Sequence, residues 1–119
     1  MNKKHVVGLG LAAVIAVVAA ALLYTSRQSA TPSEDDLERC GLVSLWAHGT
    51  MGLRQEGFSM SEMMDLSKHE EDPHLRAIRQ RNIQLAYEQK RYETREAKER
   101  AVSEFENAAY LACLKGVKR

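Results

Sequence analysis

The sequence predicts an all-α protein: an N-terminal transmembrane helix followed by a small three- to four-helix domain stapled by one disulfide. Three observations carry that expectation. Val6–Tyr24 is a nineteen-residue run with no charged side chain. The rest of the chain is punctuated by helix-capping residues. Its two cysteines, Cys40 and Cys113, lie near the two ends of that body. The expected organisation is a signal-anchor over 1–26, a linker over 27–32 and a helical domain over 33–119.

Lys3 and Lys4 precede a stretch from His5 to Ser26 that contains no Asp, Glu, Lys or Arg. Nineteen residues at the helical rise span roughly 28 Å, close to the hydrocarbon thickness of a bilayer. A cleavable signal has a shorter apolar core followed by a small-x-small site. Here Ala19, Ala20 and Ala21 run on into Leu22, Leu23 and Tyr24, and a cut after Ala30 has Gln28 two positions before it. Tyr24 suits an interfacial position, and the two lysines favour a cytoplasmic N-terminus. Arg27 on the other flank weakens that asymmetry without reversing it. An uncleaved anchor with the body outside the cytosol is therefore expected. The alternative is a periplasmic or secreted soluble protein released by cleavage.

After a short polar linker, Ser33 reads as a helix N-cap, with Glu34, Asp35 and Asp36 in the first turn where carboxylates meet the positive helix end. Leu37, Cys40, Val43 or Ser44, and Ala47 follow at helical spacing, widened by Leu42, Leu45 and Trp46. This helix is expected to reach about Gln55 and stop at Gly57. Ser59 and Glu62 have the spacing of a capping box, with Phe58 placed to staple onto Met63. That second helix is short and ends before Asp72-Pro73, where Asp72 caps a third helix with proline at its first position. Leu75, Ile78, Asn82 or Ile83, Leu85 and Ala86 give the third helix its apolar face. The charged stretch from Tyr87 to Arg95 lacks Gly and Pro and admits either a continuous helix or a turn; the turn is favoured because a staple to Cys40 requires the chain to return, with Thr94 then capping a last helix over about Arg95 to Lys115. Its stripe is Ala101 or Val102, Phe105, Ala108 or Ala109, Ala112 and Cys113, and Gly116 stops it.

With roughly 85–90 residues after the head, the body can bury only a modest core, and small domains often need a staple. An even cysteine count in a short exported chain reads as one disulfide, here Cys40–Cys113. Closing a loop of about 70 residues stabilises by roughly 4 kcal/mol in the loop-entropy picture.

The whole chain has a formal charge of +1, but the body is lopsided. From Ser33 to Leu75 ten acids face three bases, a net of −7; from Arg76 onward eleven bases face six acids, a net of +5. Two halves facing each other in a bundle would explain this. A basic face around Arg76, Arg79, Arg81, Lys90 and Arg91, open to an acidic partner, is the functional reading. Such a partner would be lipid headgroups, an envelope protein or a cell-wall polymer. No nucleic acid is expected, since the basic residues lack the aromatic interleaving of a nucleic-acid-binding module.

His69-Glu70-Glu71-Asp72-Pro73-His74 collects metal-ligand residue types, but proline breaks any single helical face and the spacing fits no standard zinc or calcium motif. It reads as a solvated acidic loop. Met51, Met60, Met63 and Met64 read as core filling, and Trp46 as core. No Ser-His-Asp set, activated cysteine or phosphate loop is visible. No cofactor, metal site or enzymatic activity is expected.

The early helical Cys40, the Arg54…Gly57-Phe58-Ser59 stretch, the Ile83…Ala86-Tyr87 segment and the closing Cys113 resemble small exported, cysteine-bracketed helical proteins of Gammaproteobacteria, which are generally of unknown function. The resemblance covers most of the body and implies no activity or functional residue; the apolar head departs from it in being longer than a cleavable signal. The functional expectation is a membrane-anchored envelope protein acting as a non-enzymatic interaction module in the inner membrane, with its body in the periplasm. The alternative is a coiled-coil linker across the envelope, resembling the inner-membrane subunit of phage spanins. Pro73, the several caps and the distant cysteines favour a compact bundle.

Overall fold

The computed structural model describes residues 31–117, within which Pro32–Val117 forms one compact unit. The apolar run Val6–Tyr24 and most of the expected linker lie outside the described residues. No helix among the described residues is long and apolar enough to cross a membrane. The body is all-helical: α1 (Glu34–Glu56), α2 (Met60–Ser67), α3 (Pro73–Glu88) and α4 (Arg95–Lys115).

Each helix starts where a side chain can satisfy the free N–H groups of its first turn. Ser33 and Asp36 form a reciprocal capping box at α1, and Ser59 and Glu62 form another at α2. The Asp72 carboxylate accepts from the His74 and Leu75 amides ahead of α3, with Pro73 in the first turn. Thr94 accepts from the Ala97 amide at α4. The chain therefore turns between α3 and α4, as expected. Gly57 ends α1 at φ 96°, a left-handed conformation that disfavours any side chain. Gly116 ends α4 differently, staying right-handed at φ −80°.

Cys40 and Cys113 are bonded, with their Cα atoms 5.5 Å apart. The bridge joins the start of α1 to the end of α4, and Gln55 near the end of α1 meets Lys90 and Tyr92 just before α4. The two helices are therefore antiparallel. Arg79 lies over the Trp46 ring and Arg54 over the Tyr87 ring. Both partners advance by the same number of residues, so α1 and α3 run parallel. The short α2 makes this possible by carrying the chain back alongside α3, from the Phe58–Tyr87 contact to the Ser67–Gln80 contact.

α1 is thus the central helix. Its apolar core with α3 and α4 is built from Ala47, Met51, Ala86, Ala101, Phe105 and Ala109, flanked by Tyr87, Tyr92 and Val102. Four of the six core residues are alanine, which lets the helices approach closely but buries little area per residue. Several expectations of the core need correction. Trp46 is only half-buried, lying at the α1–α3 margin under Arg79. Met51 and Met63 are buried, but Met60 is exposed. Leu37, Leu42, Leu45 and Leu85 are exposed although they lie on or beside the predicted stripes. Phe58 is exposed while Met63 is buried. The apolar residues of α1 surround it, and neighbours occupy only part of that circumference.

Candidate functional site

A shallow groove of about 630 Å³ runs between α1 and α4. From α1 it is lined by His48, Gly52, Gln55 and Glu56; from α4 by a stripe running from Arg95 through Glu99 and Val102 to Glu106, with Glu93 of the preceding loop at one end. The i, i+4, i+8 spacing of His48, Gly52 and Glu56 puts them in one row along α1. Gly52 leaves the middle of the groove wide, because a Cβ there would have nothing within 4 Å.

At one end, His48 Nδ1 and Glu106 Oε2 are 2.8 Å apart, and the Ser44 hydroxyl donates to Glu106 Oε1 at 3.4 Å. Serine and imidazole share a carboxylate and are not hydrogen-bonded to each other. This joins two helices; it does not set a base against a hydroxyl, as nucleophilic catalysis needs. Arg95 is paired with Glu99 within the groove wall at 2.9 Å. The wall holds four glutamates against Arg95, Lys98 and His48, so its balance is acidic.

The closed end of the groove is a polar knot around Gln55, which is 1 % exposed. Its Nε2 donates to the Lys90 carbonyl at 3.0 Å and its Oε1 accepts from the Tyr92 amide at 2.8 Å. Arg54 donates twice to the Gln89 carbonyl, and Arg91 donates to the Gln55 carbonyl. The Tyr87 hydroxyl donates to the Phe58 carbonyl, and burial raises the Tyr87 pKa, with the Arg54 charge opposing that shift. The α3–α4 turn is therefore held by side chains reaching from the end of α1. Nothing in the local pattern of Tyr87–Arg95 announced this, because the partners are about 35 residues away. A glutamine among apolar helix positions was the one visible signal.

The five residues expected to form a basic face are not gathered on one surface. Arg76 folds back to donate to the Glu70 and Glu71 carbonyls at 2.8 and 3.2 Å. Arg79 covers Trp46 at 5.0 Å, and Lys90 covers Tyr92 at 4.9 Å. Arg91 serves the knot beside Gly57. Arg81 is exposed and lies roughly 140° around α3 from Arg76. Ion pairs among the described residues include His48–Glu106 between the two halves and Lys68–Asp65 and Arg95–Glu99 within them, and arginines of both halves donate to backbone carbonyls.

His69, Glu70, Glu71 and Asp72 form the loop that caps α3, and His74 lies in the first turn of that helix. Among the described residues no three His, Cys, Asp or Glu side chains come together to hold a metal ion. In α2, hydrogen bonds from Ser59 hold the Glu62 carboxyl below its usual range, and Lys68 does the same for Asp65.

No family model, no curated protein sequence and no solved structure matches this chain.

Proposed function

We propose that this is a membrane-anchored cell-envelope protein whose helical body is a non-enzymatic interaction module in an oxidising space. One pairing of features carries the reading: a nineteen-residue apolar run behind two lysines, followed by a body whose two cysteines are bonded across 73 residues. Disulfides persist in exported proteins and are rare in reducing cytosol, and a run of that length suits a bilayer span.

The compact return of α4 along α1 supports a module over an extended rod. The shared Glu106 carboxylate, with no base on the Ser44 hydroxyl, supports binding over catalysis. A partner that bound in the groove would face an acidic wall with an apolar centre, which suits a basic segment of an envelope protein. Of the cations expected on that face, Arg81, Lys90 and Arg91 are the exposed ones that lipid headgroups or a cell-wall polymer would meet.

A phosphatase reporter that folds only after export, fused after Arg119, tests the topology. The fusion is expected to be active, while a fluorescent fusion that matures only in the cytosol stays dark. The reverse pair of results would overturn the reading.

A further inference from the structure

α2 is the least committed element of the body. Among the described residues, none of its side chains belongs to the apolar core that joins α1, α3 and α4. It buries Met63 and Ser67, while Met60 and Leu66 are exposed and Met64 is half-buried. At 8 residues it is also too short to persist as a helix in water away from its seat. By contrast, α1 is tied to α4 by the disulfide and to the α3–α4 turn by the two Gln55 bonds.

The seat is a single stripe on α3. The Tyr87 hydroxyl donates to the Phe58 carbonyl just ahead of α2, and Gln80 Nε2 donates to Ser67 Oγ at its far end at 3.1 Å. Those two bonds fix an antiparallel register that sets Met63 level with Ile83, which lies between Gln80 and Tyr87 on the same side of α3. Ile83 is 2 % exposed. The flanks of the segment are pinned by other elements. The Gly57 and Phe58 amides donate to the Arg54 and Leu53 carbonyls at the end of α1, and Arg76 of α3 donates to the Glu70 and Glu71 carbonyls. Residues 59–69 span roughly 16 Å as helix and roughly 36 Å when extended. The segment can therefore leave the stripe without pulling on either flank.

We propose that α2 is a strap that detaches from α3 and melts as a unit while α1, α3 and α4 stay folded, baring Ile83 and the Tyr87 hydroxyl. Met63 and the two side-chain bonds set how often it opens. Local opening of this kind belongs to elements with few buried apolar contacts, which exchange below the free energy of global unfolding. The inference does not depend on where the chain resides.

Amide hydrogen exchange of the full-length chain in detergent micelles tests this. The Met64, Asp65, Leu66 and Ser67 amides, bonded within α2, should exchange roughly a hundredfold faster than the slowest amides of α1 and α4. Low urea should barely accelerate them, because little surface is exposed in the opening. Tyr87→Phe removes one tether without touching the helix and should speed these four amides about fivefold. Met63→Ala keeps the helix propensity but empties the seat, and should speed them roughly thirtyfold or more. Exchange of α2 in step with α1 and α4, at the same urea slope, would overturn the proposal. So would α2 rates that neither substitution moves, the mark of a seated helix fraying in place.

Discussion

Gln55 shows how much a single buried amide can organise. Apolar helix packing alone would leave the Lys90 carbonyl and the Tyr92 amide without partners beside a dry core, and the glutamine satisfies both. Gln55→Met preserves volume but removes both bonds. It is expected to destabilise the body by about 1–3 kcal/mol, the usual cost of stranded buried polar groups, read as a lower urea midpoint with an unchanged slope. At the surface, Glu62 is a smaller pH-dependent contributor. Ser59 donates to it through backbone and hydroxyl at 2.9 and 3.0 Å, and its pKa is lowered on folding. The ionised form is therefore the stabilising one. Its contribution is complete above the unfolded-state pKa and disappears as pH falls through the lowered folded value. Glu62→Gln should flatten that part of the acid limb when the urea midpoint is followed against pH, lowering the midpoint slightly at neutral and alkaline pH and converging on the parent's at acid pH.

The helix boundaries are local decisions, and for that reason they were legible in the sequence. Ser33, Ser59 with Glu62, Asp72 with Pro73, and Thr94 each announce a start, and each caps a helix in the structure. Gly57 announces a stop, and its positive φ of 96° shows the physical need for it. Gly57→Ala is expected to cost about 1–2 kcal/mol, the penalty for a side chain in left-handed backbone, measurable as a lowered thermal midpoint. The neighbouring Arg91 guanidinium, 3.1 Å from where a Cβ would sit, can move aside and should add little. Packing faces were less legible. Trp46 and Leu45 lie on the broad apolar surface of α1, but which part of that surface is covered depends on where α3 and α4 lie. Periodicity within α1 cannot report that. The placement of the expected basic residues was hidden in part for the same reason: Arg79 and Arg91 reach a ring and a carbonyl of α1, while Arg76 folds back onto carbonyls just ahead of its own helix.

At the scale of the molecule, the arrangement follows from one small core and one long-range bond. An alanine-rich core seals α1 against α4 and α3 with limited buried area, so the bridge across 73 residues carries an unusual share of the stability. The distant cysteine pair was readable from count and context, whereas the parallel run of α1 and α3 and the groove beside Gly52 were not, because both arise only once α2 has carried the chain back. Cys113→Ala, or reduction of the parent, is expected to lower stability by roughly 4 kcal/mol in denaturant melts. For a domain of this size that approaches the whole margin. The central claim, an exported helical body closed by this bond, meets its most direct test in intact cells. Free thiols are alkylated before lysis, and the full-length chain is then digested without reduction and examined by mass spectrometry. The account predicts a peptide containing Cys40 joined to one containing Cys113, with neither alkylated; two alkylated, unlinked cysteines would contradict it.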